Sequence, residues 1–240
     1  MLSNLYHLFV YDPLYNWLIF LFNIFPWIDA GFIVIIFTII IRLILFPLSK
    51  KSVITQVRMK EIEPELNKIK NNVKDKQEQA LKIMELYKNK GVNPFSSFFL
   101  ILIQLPIMLS FYWIFKDGLP VVDTTLLYSF IKVPTIDMHF LGIFDIGVKS
   151  LFLSLCAGLS QFLQLHFSLA TNTPPSDNSN PAMNATHNMM KNMKYVFPVM
   201  ITIFSYGLPA VLAIYWTISN LFTLGQEIVV RKHIKNHKPL

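Results

Sequence analysis

Four blocks of nearly unbroken apolar residues, at 31–48, 95–115, 149–170 and 195–230, restrict what this chain can fold into. A hydrocarbon layer about 30 Å thick takes roughly 20 helical residues to cross. The first three blocks have about that length, and the fourth holds two such lengths. Hydrophobic residues make up 53% of the 240, more apolar surface than one soluble core of that size encloses. The blocks show no period-two alternation, which excludes a β-barrel. The fold class that follows is all-α, a polytopic membrane protein.

The basic residues order the blocks. Eleven Lys and Arg lie within residues 50–90, two at Lys191 and Lys194, and four within 231–238. Only three lie within 116–149 and none in the first 41 residues. The positive-inside rule makes the basic side cytoplasmic. An N-terminus outside and a C-terminus in the cytoplasm require an odd number of crossings, so the double-length block must turn back on itself. Gly207-Leu208-Pro209 supplies the turn, because Gly and Pro together interrupt a helix. Five transmembrane helices are expected, at 31–48, 93–115, 149–170, 191–206 and 210–230. The external parts are residues 1–30 and 116–148. Residues 49–92 and 171–190 and a basic tail at 231–240 are cytoplasmic.

The segment before the first span is aromatic and apolar but broken by Asp12-Pro13, Asn16, Asn23 and Pro26. Asp12 can cap a helix with Pro13 in its first turn. An amphipathic helix lying in the outer interface is expected. A cleaved signal peptide is the competing reading, against which stands the lack of a positive n-region. Within residues 50–90 the charges alternate with Ile62, Leu66, Ile69 and Val73, then Ala80, Leu81, Met84 and Leu86, at helical spacing. That pattern predicts a cytoplasmic helical hairpin turning at residues 71–75 and closed by Gly91. Most of its charges form a solvated face, and their positive excess also suits anionic headgroups or ribosomal RNA. The loop at 171–190, rich in Pro, Ser and Asn, is expected to be flexible. Cys156, the single cysteine, excludes internal disulfides.

Arg42 lies inside the first span, where a central arginine costs about 2.5–3.5 kcal/mol on insertion scales. Snorkelling to the nearby cytoplasmic interface is one way to offset that cost. A buried ion pair is another, but spans one to four contain no Asp or Glu, and the only nearby acid is Glu227, late in span five. The third is an unpaired cation in a wet cavity, available to an anionic visitor. Thr38 precedes Arg42 by four residues on the same helix face. Gln104, Gln164, Ser219 and Asn220 are further polar groups at membrane depth, costly unless they face a partner or water. Helix-to-helix hydrogen bonding accounts for any one of them. As a set they suggest one inward polar surface. An interfacial belt is one reading of Tyr215 and Trp216, but their distance from the turn at Gly207 favours a site deeper than the outer belt. No nucleophile elbow, zinc-protease motif or phosphate loop is present, and the histidines are scattered without ligand spacing. No catalytic residue, metal or cofactor is expected, and the protein is read as not an enzyme.

These residues carry a family resemblance. Thr38-Ile-Ile-Ile-Arg42 precedes Phe46-Pro47-Leu48, and Leu86-Tyr87-Lys88 leads to Val92-Asn93-Pro94. Gln104-Leu105-Pro106-Ile107 follows, then Gly158-Leu159-Ser160-Gln161-Phe162-Leu163-Gln164. Leu208-Pro209-Ala210 runs on to Ile214-Tyr215-Trp216 and Ser219-Asn220-Leu221. In order and spacing the chain resembles the YidC/Oxa1/Alb3 membrane protein insertases, in a short bacterial form without the large periplasmic domain. Val211 stands where relatives often carry glycine.

The resemblance implies a five-helix core around a hydrophilic groove open to cytoplasm and lipid and closed outside. Arg42 would occupy the groove with Thr38 beside it. Gln164 would line it, Tyr215 and Trp216 would lie where clients slide, and the hairpin would receive them. The implied function is insertion of membrane proteins. Nascent membrane proteins and the lipid bilayer are the expected partners, with the Sec translocon and ribosome as candidates and no specific nucleic acid. A small anion transporter and a non-inserting assembly scaffold are the rival readings. The expected location is the inner or plasma membrane.

Overall fold

The computed structural model describes residues 2–93, 96–117, 119–172 and 181–236, and these are mostly helical. Helix α1 (Leu2–Tyr6) passes through one π-helical turn, His7–Tyr11, into α2 (Asp12–Ile24). Asp12 therefore does not cap α2 as the sequence suggested. A cap needs extended backbone, whereas here the preceding Tyr11 is already helical (φ −65°, ψ −57°). The Asp12 carboxylate instead meets the His7 ring at 3.2 Å.

The polar residues that break the apolar pattern of α2 stitch it to the loop at residues 123–132. Asn16 Nδ2 donates to the Leu126 carbonyl (2.8 Å) and Asn16 Oδ1 accepts from Tyr128 N (2.7 Å). Asn23 Nδ2 donates to the Lys132 carbonyl (2.7 Å), and the Tyr15 hydroxyl accepts from Asp123 N (2.8 Å). The bonds to Leu126, Tyr128 and Asp123 are partly buried and satisfy loop backbone groups that would otherwise be costly to bury.

Helix α3 (Ala30–Ile44) is capped by Asp29, whose side chain accepts from Phe32 N at 3.1 Å. It stops at Ile44, short of the expected end at residue 48. Pro47 lies in the first turn of α4 (Phe46–Asn72), where its missing N–H is tolerated, and the two helices meet at 62°. Helix α5 (Lys76–Asn89) returns along α4. It ends in a Schellman motif in which Val92 N donates to Tyr87 O (2.9 Å) and Gly91 N to Lys88 O (3.1 Å), with Gly91 at φ 62°. Ile62, Leu66, Leu86 and Val92 form the hairpin core. Leu81 and Met84, predicted to pack there, are 65% and 71% exposed, because α5 turns its Ile83–Leu86–Tyr87 side to α4.

Helix α6 (Ser96–Asp117) leads to a two-stranded ribbon, β1 (His139–Phe140) and β2 (Phe144–Asp145), antiparallel in the register His139↔Asp145. The ribbon and its flanks hold two helix starts at once. Ala30 N donates to Asp137 O, while Ala210 N and Val211 N donate to Val148 O and Ile146 O, all at 2.9–3.0 Å. These are N–H groups that a helix start leaves without an internal partner. The same loop thus seals one end of α3 and of α9 (Ala210–Asn236), so the two helices set out from it in the same direction. Gly31 is required here, because the Phe140 ring occupies the space a Cβ would take.

Helices α7 (Leu151–Asn172) and α8 (Pro181–Tyr206) complete the bundle. Helix α8 starts at Pro181, so the second half of the expected flexible loop is helical, and residues 173–180 lie outside the described residues. Helix α9 runs past the expected tail boundary to Asn236. At Gly158, α7 approaches α8 so closely that a Cβ would meet the Pro198 carbonyl at 3.0 Å and the Thr202 hydroxyl more closely still. Among the described residues, Leu151–Ser168 of α7 is long and apolar enough to cross a bilayer alone. The bent pair α3–α4 passes jointly, and α6 carries the shorter apolar run Leu102–Lys116.

Candidate functional site

The main core joins α3, α6 and α9 through a run of aromatic rings. Phe37 lies 5.3 Å from Phe111, and Phe111 stacks on Tyr215 at 4.9 Å and 30°. Side chains of 1% exposure or less occupy all three positions. This stack fixes Tyr215 while its hydroxyl meets polar groups from two other helices.

One is Gln104 of α6, whose side-chain amide donates to the Tyr215 hydroxyl oxygen. The other is Arg42, in the last turn of α3 and half-buried, whose guanidinium lies within electrostatic reach of that hydroxyl. Helix geometry explains the meeting. The Cα–Cβ bond tilts toward a helix's N-terminus, so Arg42 leans back along α3 toward the sealed end. By rise per residue, Tyr215 starts roughly 10 Å nearer that end than Arg42, a gap two long side chains close. Arg42 thus lies within electrostatic reach of a side chain on the sealed-end side of its own position.

Among the described residues Arg42 makes no ion pair and no hydrogen bond. Glu227, the one acid the sequence offered, is 2% exposed and held by Arg231 one turn on, at 2.6 and 3.0 Å. Ser219, one turn beyond Tyr215, is 1% exposed; its Oγ lies beside the Tyr215 hydroxyl without hydrogen-bond geometry and has no partner among the described residues. Arg42, Gln104, Tyr215 and Ser219 thus converge, rich in N–H and O–H donors. Among the described residues no group of His, Cys, Asp or Glu is placed to hold a metal.

The other residues singled out from the sequence lie apart from this cluster. Thr38 shares the α3 face but is fully buried, and its hydroxyl donates to Val34 O at 2.7 Å within its own helix. Asn220 donates to Ser160 Oγ of α7 at 3.1 Å, a helix-to-helix bond. Gln164 accepts from Gln161 Nε2 at 3.2 Å along α7, and Trp216 packs edge-on against Phe204 of α8 at 5.9 Å. Helix α9 is the divider, with Tyr215 and Ser219 toward α3 and α6 and Trp216 and Asn220 toward α7 and α8. Sequence reasoning missed Phe111, since one phenylalanine in an apolar run looks like any other. It also missed the bond from Gln226 Nε2 to Ser49 Oγ that fastens α9 to the base of the hairpin.

Comparison with known proteins gives a consistent result. A family model described as the 60Kd inner membrane protein matches residues 20–238. The chain is 33% identical over 207 residues to the membrane protein insertase YidC of Oceanobacillus iheyensis, covering 84% of this chain and 74% of that protein. It is 33% identical over 227 residues to YidC of Fusobacterium nucleatum, covering 93% of this chain and 98% of that one. With the membrane protein insertase MisCA of Bacillus subtilis it shares 29% identity over 210 residues, covering 85% and 70%.

Proposed function

The chain belongs to the family of the 60Kd inner membrane protein, the YidC/Oxa1/Alb3 membrane protein insertases, and we propose that it inserts client proteins into the cell membrane and assists their folding. Five spans cross, built on α3, α6, α7, α8 and α9. The N-terminal helix lies in the outer interface, the hairpin at 49–92 and the tail at 231–240 lie in the cytoplasm, and the loop at 116–148 closes the outer end.

Moving a client's polar tail through hydrocarbon exposes backbone groups that each cost several kcal/mol when unsatisfied. A wet, donor-rich groove partway across shortens that path. Arg42 attracts acidic tail residues transiently, Gln104 stands beside it with Tyr215 and Ser219 buried behind as its support, and the client's apolar helix leaves sideways into lipid. Burial of that helix drives the reaction. Membrane potential adds about 2.3 kcal/mol per charge per 100 mV, favouring outward movement of acidic tails. Thr38 backs the groove wall from within the core, while Gln164 on α7, with Trp216 and Asn220 on the opposite face of α9, lines the α7–α8 side of the client's path. Nascent membrane proteins are the clients, delivered by the ribosome directly or beside the Sec translocon.

The observation that carries this reading is the Arg42 guanidinium, set beside Tyr215 and Gln104 with no carboxylate partner among the described residues. Photo-crosslinking from positions 216 and 104 to arrested nascent chains tests it. Adducts that appear only while the client's tail is in transit, with or without translocon, are expected. Adducts that form only after delivery by the translocon would make the protein an assembly scaffold.

A further inference from the structure

A cavity of about 840 Å³ lies between the N-terminal helices, α3 and α6. Arg42, Gln104 and Tyr215 do not line it. Its walls are apolar side chains such as Leu14, Trp17, Ile41, Ile103 and Ile107. Asn16 is the amide at its edge, and both ends of that amide are already bonded, to Asp12 O, Leu126 O and Tyr128 N. The other polar groups among the lining side chains are the Trp17 indole N–H and the Tyr128 hydroxyl, and none is charged, which argues against a charged solute. Rim residues are exposed, Phe9 at 71%, Ile44 at 59% and Leu102 at 47%, so the cavity opens at the surface. Leu43 and Leu105, close in sequence to the lining residues Ile44 and Pro106, are exposed as well.

We infer that this cavity is a lipid site, holding an acyl chain of a diacyl phospholipid under the roof formed by the N-terminal helices. The inference rests on the proposed membrane placement of α3 and α6. An apolar cavity facing hydrocarbon fills with whatever apolar matter fits, because an empty one forfeits dispersion contacts along its walls. A client helix fits poorly. At about 10 Å across, a helix would use up this volume in roughly two turns. A flexible hydrocarbon chain follows the cavity's shape without that limit. Lodged there, the chain adds apolar contacts between the roof helices and α3 and α6 to the hydrogen bonds that already tie α2 to the loop at residues 123–132, making the lipid a structural ligand.

Trp17 reports on the site directly, since it lines the cavity and its inner edge packs on Phe37 at 5.7 Å. Purified full-length protein in detergent is titrated with phosphatidylcholine brominated at mid-chain. The emission lost on Trp17→Phe isolates the Trp17 signal, and Trp113→Phe isolates that of Trp113, which is 43% exposed and samples bulk lipid. Trp17 quenching that saturates at low lipid, while Trp113 quenching keeps rising, is the expected result. Filling the cavity by Val10→Phe with Leu14→Phe should abolish the saturable phase with helical content unchanged. Quenching of Trp17 that tracks Trp113, or is absent, would overturn the inference. So would a saturable phase that persists in the filled variant. Client insertion measured on the same preparation separates the two claims: normal insertion without saturable quenching removes the lipid site and leaves the insertase reading standing.

Discussion

The Gln104 amide donates to the Tyr215 hydroxyl across the interface of α6 and α9, leaving the Tyr215 proton free to turn toward a third group. Buried hydrogen bonds between membrane helices average about 0.6 kcal/mol and reach about 1.7. Gln104→Leu and Tyr215→Phe should each lower thermal stability in detergent. The double variant should lose less than the sum of the two, with a coupling in that range. Additive losses would mean that the two side chains do not interact.

Gly158 sets the distance between α7 and α8. Gly158→Ala drives a methyl group into Thr202 and the Pro198 carbonyl, and overpacking of this kind costs about 1–3 kcal/mol. Thr202→Ala removes the closer obstacle, so the Gly158→Ala, Thr202→Ala pair should recover part of the loss in melting temperature. Thr202→Ala alone should have a much smaller effect.

The hairpin gives a contrast between two leucines one and a half turns apart. Leu86 is buried against Ile62 and Leu66, whereas Leu81 is 65% exposed. Leu86→Ala should cost about 2–3 kcal/mol of local stability, read as faster amide exchange in both α4 and α5. Leu81→Ser should stay within about 0.5 kcal/mol.

The β1–β2 ribbon carries a pH response. Asp137 contacts His139 at 2.5 Å, and this hydrogen bond and charge hold the imidazole above its ordinary range, with Asp145 and Asp29 adding to it. The same contact holds the Asp137 carboxyl below its usual value. The raised histidine contributes stability that is fully present below its unfolded pKa and is lost as pH rises through its folded value. The depressed carboxylate contributes stability present above its unfolded pKa and lost as pH falls through its folded value. The ribbon should therefore be tightest between those two limits. An imidazole NMR titration of His139 should move down toward the ordinary histidine range in Asp137→Asn, and an unchanged midpoint would show that the pair is not formed.

Much of this architecture was legible from residue order, and the parts that were not share a physical cause. Apolar blocks and Gly91 announce helices and a stop because those signals are local. Arg42, Gln104 and Tyr215 stood out because polar groups are costly at membrane depth. Their convergence did not, since it depends on how α3, α6 and α9 pack. Asn16 and Asn23 looked like interruptions because their partners lie more than 100 residues away. The start of α8 was hidden by a polar, Pro-rich composition that reads as loop. Leu81 and Met84 fit a helical period, and only the packing of α5 shows that their side is left open.

The role of the Arg42 charge is tested most directly by inserting a single-span client with an acidic tail into liposomes containing purified protein. A charge-assisted hydrogen bond contributes about 1.5–3 kcal/mol, so Arg42→Ala should slow insertion roughly tenfold or more. Arg42→Lys should keep most of the rate, and a client with a neutral tail should be nearly indifferent to both. Insertion of the acidic-tailed client at the wild-type rate by Arg42→Ala would contradict the account.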